Sequence, residues 1–253
     1  MRWEQYVLYV ERIGSRYFMV AGIFFLLFYI LRIQKTRYKK IQARTPKQSD
    51  YVREIGYSMI TVAIFGLVVL VMLQVPSIRQ YTTFYTKIEQ HGWLYFFLAF
   101  PLLFMIHDTY FYWTHRLMHH KRLFKTVHLV HHQSTNPSPW AAYAFHPLEA
   151  VVEAGVFVVF LFTLPVHSLH IVLFFFFMIV YNVYGHLGYE LYPNRFNKHW
   201  LGKWINTSVS HNQHHQYFKG NYGLYFTFWD RVMGTLRKDY DVRFDEVTKK
   251  NKV

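Results

Sequence analysis

Histidines are the residues of this chain whose number and spacing could do chemistry. Seven of its 16 histidines fall between positions 107 and 132. One pattern there is H-x3-H, and a second pattern, H-x2-H-H, occurs both there and about 80 residues later. The eight histidines of these three boxes are His115, His119, His128, His131, His132, His211, His214 and His215. Residues three and four apart share one face of a helix, so each box directs its imidazoles to the same side.

Grouped imidazoles of this kind predict a metal site. A lone histidine is more often a core or surface residue, but three boxes, two with identical spacing, favour ligands. Imidazole suits iron, copper, nickel and zinc. Eight histidines exceed the four ligands that a tetrahedral zinc uses, so the pattern predicts two metal ions.

Three further polar positions lie close to this pattern. His186 follows an apolar run and has Glu190 four residues later, and we predict His186 as a ninth ligand and Glu190 as a surface or supporting residue. On a helix, Asp108 falls within about 40° of His115 and could orient a ligand imidazole or pair with Arg116. A pair between Arg231 and Asp230 is expected to be structural. The aromatic residues around the boxes could line a tunnel or simply pack: Tyr110, Phe111, Tyr112, Trp113, Trp140, Tyr143 and Phe145.

The composition is typical of a membrane protein, in which apolar helices would position the histidine boxes. Charged residues make up 17% of the 253 positions, against roughly 25% in soluble proteins, and hydrophobic residues make up 53%. Cysteine is absent, which excludes disulfides, iron–sulfur clusters and thiolate ligands. The net charge of +14 fits a face that meets anionic lipid better than it fits a nucleic-acid partner.

Five apolar runs predict an all-α, polytopic membrane protein with four or five spans. They cover residues 17–31, 55–75, 92–106, 148–164 and 169–184, and residues 1–16 are predicted to form a short interfacial helix. The last two runs are separated only by residues 165–168, which suggests a tight helical hairpin. We expect residues 1–253 to form one domain.

The distribution of basic residues predicts which end of the bundle faces the cytoplasm. Residues 32–49 carry seven basic side chains and no acid, which is typical of a solvated cytoplasmic face: Arg32, Lys35, Arg37, Lys39, Lys40, Arg44 and Lys47. Placing this loop inside puts all three histidine boxes on the cytoplasmic side. A lysine-rich tail, TKKNKV, ends the chain.

Over residues 100–240 the sequence resembles the fatty acid hydroxylase superfamily, also called the sterol desaturase family. The resemblance rests on HDTYFYWTHRLMHH, on the run from VHLVHHQS to FHPLEA, and on HNQHHQYFKGNYGLYFTFWDRVMGT. It implies a membrane oxygenase with a di-iron centre, held by the eight box histidines and His186. His107 and His146 match family histidines with less certain roles. Some members carry a further histidine at the position of Glu190, and a ten-histidine shell is therefore not expected here.

The resemblance also implies O2 as co-substrate and electrons from an external carrier of the cytochrome b5 or ferredoxin type. The expected activity is hydroxylation or desaturation of a sterol, fatty acyl chain or related lipid, in a bacterial inner membrane or the endoplasmic reticulum. Neither HExxH nor Glu-x-x-His occurs, so a zincin peptidase or a ferritin-like carboxylate site is unsupported. A metal-binding or transport protein without oxidation chemistry remains the alternative, and zinc could occupy the same ligands.

Overall fold

A computed structural model describes residues 3–33 and 38–249. Lys35, Arg37 and the last four residues of the lysine-rich tail, all noted above for their charge or composition, lie outside the described residues. The described chain is mainly helical, in agreement with the all-α prediction.

Four long helices form the membrane part. They are α1 (Trp3–Phe25, prolonged by a π-helical turn at Leu26–Ile30), α2 (Gln48–Gln74), α4 (Gly92–Met118) and α8 (Ser168–Gly185), and the four-residue helix α3 (Pro76–Arg79) follows α2. In the described part of the chain, these four are long and apolar enough to cross a membrane. The fifth apolar run forms α7 (Pro147–Thr163), whose 17 residues are about 26 Å long, short of a roughly 30 Å hydrocarbon layer.

The prediction of a separate interfacial helix at residues 1–16 is wrong for its described part. Helix α1 is continuous from Trp3, because no proline or turn interrupts it and glycines of both α1 and α2 let the two helices pack closely. A Cβ placed on Gly14 would lie 3.4 Å from Val62, and one on Gly66 would lie 2.7 Å from Val10. The charged residues Arg12 and Arg16 are therefore carried into the span.

A short strand pair closes the end of the bundle opposite the histidine boxes. Strand β1 (Phe84–Tyr85) pairs in parallel with β2 (Val166–His167), which joins α7 to α8. The predicted hairpin between the two helices is thus fixed by a strand contact rather than by a turn alone. A 3₁₀ turn (Ile88–Gln90) leads from β1 into α4.

The histidine end is built from shorter elements. They are α5 (Phe124–Val127), α6 (Leu129–His132), α9 (Ser208–Tyr217), α10 (Phe228–Val232) and α11 (Tyr240–Thr248), with 3₁₀ turns at Pro139–Tyr143, Phe196–Lys198 and Gly202–Trp204. One apolar core fills the space between α1, α2, α4, α7 and α8. A second joins Ile41 to Val209, Tyr240, Phe244 and Val247, and so holds α11 against α9.

Lys39 and Lys40 of the basic stretch are half-buried, whereas Arg32, Arg44 and Lys47 are exposed as predicted. The backbone of Lys40 bridges that of Tyr189, and the Lys39 ammonium donates to the carbonyl of Tyr192 at 2.8 Å. Ile41 is buried and accepts a hydrogen bond from Arg243 through its carbonyl. This segment therefore ties the loop after α1 to the residues that follow His186.

Candidate metal centre

The nine histidines predicted as ligands converge into two adjacent groups. The first group contains His115, His119, His128, His132 and His214, and the second contains His131, His186, His211 and His215. Within each group one nitrogen of every ring lies within 4.8 Å of the others. All nine side chains are buried except that of His119, which is partly exposed.

The first group lies where α4 leaves the bundle. His115 lies in the last turn of α4, and His119 caps the helix with its N–H bonded to the carbonyl of His115. Their Nε2 atoms approach those of other chain segments: His115 is 3.0 Å from His128, and His119 is 3.1 Å from both His132 and His214.

The second group lies at the end of α8. His186 directly follows α8, and its Nε2 atom is 3.1 Å from that of His211, 3.2 Å from that of His215 and 3.3 Å from that of His131. Gly185 permits this approach, because a Cβ there would be 3.3 Å from the His211 ring. The isolated histidine of the sequence thus contacts the three other imidazoles of its group.

Each of the two H-x2-H-H boxes contributes histidines to both groups. His128 and His132, four residues apart, belong to the first group, while His131 belongs to the second. In the later box His211 and His215 belong to the second group, while His214 belongs to the first. Each box therefore spans both groups.

Hydrogen bonds at Nδ1 fix the direction of five rings. Backbone carbonyls accept from four of them: Tyr222 from His115 at 2.9 Å, Gly220 from His214 at 2.8 Å, Ser134 from His215 at 3.0 Å and Asn182 from His186 at 2.8 Å. The Glu149 carboxylate lies 2.6 Å from Nδ1 of His128. A carbonyl accepts only, so these Nδ1 atoms carry the hydrogen and Nε2 is left with a free lone pair.

Burial keeps the rings outside the spans neutral. It lowers the pKa of His186 to about 4, and burial together with neighbouring imidazoles holds the pKa of His211 and His215 well below 6.5. Neutral imidazole is the form that binds a metal ion.

The spacing of the ring nitrogens fits metal coordination. With metal–nitrogen bonds of roughly 2.0–2.1 Å, two ligands at a right angle are about 3.0 Å apart and two at a tetrahedral angle about 3.4 Å apart. The close Nε2 pairs of both groups lie between 3.0 and 3.3 Å. Five imidazoles in the first group also exceed the four ligands of a structural zinc. The residues therefore fit two ions that accept several nitrogen ligands.

The fatty acid hydroxylase family model matches residues 100–235, which is more than half of the chain and contains every histidine of both groups. The chain belongs to this family. All nine clustered histidines thus lie in the part of the chain that is characteristic of the family.

Similar proteins within the family act on sterols, according to their names. A Delta(7)-sterol 5(6)-desaturase of Gibberella zeae is 29% identical over 90% of this chain and 70% of its own length. One from Aspergillus fumigatus is 31% identical over 92% of this chain and 65% of its own length. Lathosterol oxidase of Mus musculus is 30% identical over 66% of this chain and 55% of its own length. The chain thus spans 55–70% of the length of these three relatives, and no solved structure matches it.

Asp108 and Glu190, two carboxylates near the centre of this family member, accept hydrogen bonds from backbone N–H groups and not from ligand rings. Asp108 accepts from the N–H groups of Tyr225 and Phe226 at 2.9 and 3.1 Å, so it neither orients a ligand ring nor pairs with Arg116. Glu190 is buried, which excludes the surface position but agrees with the predicted supporting role. It accepts from the Tyr184 hydroxyl at 2.6 Å and from the N–H of Val209 at the start of α9, the helix that carries His211.

Asp230 likewise holds a loop and does not pair with Arg231. Its carboxylate accepts from the N–H groups of Tyr222 and Gly223 at 2.9 and 2.8 Å, and the Arg231 guanidinium donates to the carbonyl of Lys203. Because the Tyr222 carbonyl accepts from His115, Asp230 supports a ring of the first group through the backbone. Asp230 also accepts from the Thr235 hydroxyl at 2.6 Å. Local sequence could not show this role, since it depends on how the loop at Tyr222 and Gly223 folds back on α10.

His107 and His146 belong to neither group. Nδ1 of His107 lies 2.9 Å from the Tyr225 hydroxyl, and the His146 ring accepts from the N–H of Leu148 at the start of α7. Of the aromatic residues near the boxes, Phe111 and Phe145 pack on His115 and His131. Trp113 is exposed, and Tyr143 lines a cavity between α1, α2, α7 and α8.

Sequence reasoning missed Glu149 and Ser134. Glu149 lies in the first turn of α7, where an isolated carboxylate opens an apolar helix, and this position was the available signal. Ser134 carries the carbonyl that holds His215, and its hydroxyl donates to Glu54 on α2 at 2.7 Å. No short-range pattern connects Glu54 to the boxes.

Proposed function

We propose that this protein is a membrane-bound, O2-dependent oxidoreductase that hydroxylates or desaturates a C–H bond of a lipid at a histidine-ligated di-iron centre. The observation that carries the proposal is the pair of adjacent groups of neutral imidazoles at one end of a bundle of membrane helices. Two bound irons would supply the activation of O2 that an unactivated C–H bond requires.

The roles of the chain's own residues follow from the geometry. Five imidazoles would hold one iron and four the other, with Nε2 as the ligand atom. The carbonyls of Tyr222, Gly220, Ser134 and Asn182 keep four of these rings in the tautomer that leaves Nε2 free. Phe111 and Phe145 pack on the rings and exclude water on the side that faces the bundle core.

Electrons would come from an external carrier that docks beside His119. This is the one clustered histidine that is partly exposed, and the exposed residues Lys121, Arg122 and Lys125 follow it on the same surface. A positive rim suits an acidic protein of the cytochrome b5 or ferredoxin type. The positive-inside rule supports a cytoplasmic position for this face, in a bacterial inner membrane or the endoplasmic reticulum.

The names of the relatives support a lipid substrate, and the histidine geometry does not favour a transporter. The imidazole groups are enclosed at one end of the bundle, whereas transport sites lie near the middle of the membrane between two access paths.

The test is iron content followed by reductant-driven turnover. Purified protein should hold two irons per chain, and membranes containing it should convert a lipid to a product that is 16 mass units heavier or 2 lighter, with O2 consumed. His128→Ala should abolish both conversion and O2 uptake, while Lys87→Ala, at the other end of the bundle, should leave them unchanged. An iron-loaded and reducible protein that consumes no O2 with any membrane lipid extract would contradict the proposal.

A further inference from the structure

A partly open cavity of about 310 Å³ lies among the bundle helices, apart from the histidine groups. Its walls come from α1, α2, α7 and α8, and most of them are apolar, including Phe65, Val69, Phe157, Val172 and Phe175. From Phe65 to Leu73 along α2 it extends roughly 12 Å. None of the nine clustered histidines lines it.

The inner end of this cavity is separated from the metal centre by one layer of residues. Glu153, on the cavity wall, lies one helical turn from Glu149, which contacts His128. Tyr143, also on the wall, lies 6.3 Å from the ring of Phe145, which in turn packs 5.1 Å from His131. A ligand in the cavity would therefore approach the histidine groups from the membrane side.

Two arginines of α1 line the same cavity, and of these Arg12 is exposed and Arg16 is half-buried. Arg12 and Arg16 lie inside the candidate span Trp3–Ile30. The packing of Val10 on Gly66 and of Gly14 on Val62 places Arg12 opposite the middle of the apolar run of α2. A charged side chain at this depth is costly unless it serves a partner, so it indicates a functional site.

The protein supplies too little negative charge for these arginines. Among the described residues, the Arg16 side chain donates only to the carbonyl of Arg12, and no carboxylate forms an ion pair with either guanidinium. Glu153 is the acidic residue of the cavity wall. Even with Glu153 ionised, two cations against one anion leave one positive charge uncompensated.

We propose that this cavity binds a single-chain lipid whose acidic group, a carboxylate or another oxyanion, pairs with Arg12 and Arg16. Guanidinium groups bind oxyanions through paired, charge-assisted hydrogen bonds. A volume near the lower end of the roughly 300–1,000 Å³ range of ligand cavities fits one hydrocarbon chain rather than two. On the proposed function, on which this last step rests, the acidic lipid is the substrate; a neutral sterol would leave the arginine pair unneutralised.

The experiment measures binding of radiolabelled palmitic acid to the full-length protein in phosphatidylcholine nanodiscs at pH 8. Reductant is omitted, so binding is read without turnover and a failure of the oxidase proposal would not affect the result. Unlabelled palmitic acid should displace the label at least tenfold more effectively than hexadecan-1-ol, cholesterol or dioleoyl phosphatidic acid. Hexadecanol has the same chain without the charge, and cholesterol represents neutral sterols. Phosphatidic acid has an acidic headgroup but two acyl chains.

Variants then locate the site. Arg12→Gln with Arg16→Gln should weaken palmitic acid binding at least tenfold. Arg12→Lys with Arg16→Lys, which keeps both positive charges, should retain most of the wild-type affinity. The control Lys219→Gln with Lys238→Gln removes two exposed charges at positions away from the cavity and should bind as the wild type does. Competition by hexadecanol or cholesterol equal to that by palmitic acid would overturn the acidic-group assignment, and equal competition by phosphatidic acid would overturn the single chain. Unchanged binding by the Gln pair would overturn the site, and if that variant does not fold, the wild-type competition series still decides the ligand class.

Discussion

The Nε2 atoms of His186 and His215 lie 3.2 Å apart, and neither can donate a hydrogen to the other. Each ring already donates from Nδ1 to a backbone carbonyl, that of Asn182 or that of Ser134. Two buried lone pairs that face each other at this distance repel unless a cation lies between them. This contact is therefore the most direct structural argument for a metal ion in the second group.

His186→Ala should remove one ligand of four and release the iron of the second group. We expect about one iron per chain instead of two and at least a hundredfold loss of turnover, with the protein still inserted and folded. Metal analysis of the purified protein with an O2-uptake assay measures both. The control is His199→Ala, because His199 is exposed and outside both groups; two irons and full activity in His186→Ala would refute the ligand role.

Glu149→Leu should weaken metal binding without removing a ligand. The Glu149 carboxylate holds Nδ1 of His128 at 2.6 Å, and loss of such a partner typically lowers metal affinity about 10–100-fold. Glu149→Gln, which keeps an acceptor oxygen, should lose less. Iron retention against a competing chelator reads the difference, with Glu246→Leu, on the exposed side of α11, as control. Equal retention by all three variants would mean that Glu149 does not position His128.

Gly185→Ala should disturb the second group, whereas Gly56→Ala should not. A Cβ at Gly185 would be 3.3 Å from the ring of His211, so the ring must move by a few tenths of an ångström. No atom lies within 4 Å of a Cβ at Gly56, in the interior of α2, and alanine there should stabilise the helix by about 0.5–1 kcal/mol. The electronic spectrum of the iron-loaded protein and its melting temperature separate the two effects. A spectral change in Gly56→Ala, or none in Gly185→Ala, would contradict this account.

Charge reversal beside His119 should weaken docking of the electron carrier. Lys121→Glu with Arg122→Glu should raise the carrier's KM several-fold at low salt and flatten the dependence of rate on ionic strength, because exposed charges are screened beyond roughly 10 Å at 0.1 M. Iron content should not change. Lys87→Glu is the matched control, since Lys87 is exposed at the opposite end of the bundle. A turnover rate that does not respond to salt in the wild type would rule out electrostatic docking.

Sequence alone predicts which histidines cluster, because the spacing within each box is local information. It does not predict that His131 and His214 each belong to a different group from their box neighbours, since that depends on the angle between segments about 80 residues apart. The same limit explains Asp108, which accepts from the distant backbone N–H groups of Tyr225 and Phe226. It also explains the contact of Glu190 with the N–H of Val209 at the start of α9. The polarity of residues 1–16 predicts an interfacial helix, whereas Arg12 and Arg16 belong to a continuous helix that packs on α2 and forms part of the candidate span Trp3–Ile30.

Because each H-x2-H-H box contributes histidines to both groups, bound metal ions would limit how the chain unfolds between the boxes. His128–His132 and His211–His215 are about 80 residues apart, and two bound ions would fasten them together at two points. The conformational entropy that this long loop would gain on unfolding would then be limited for as long as either ion stays bound. The α7–α8 hairpin between them should therefore resist proteolysis and unfolding until both ions have dissociated, so that a chelator, more than heat, opens this half of the protein.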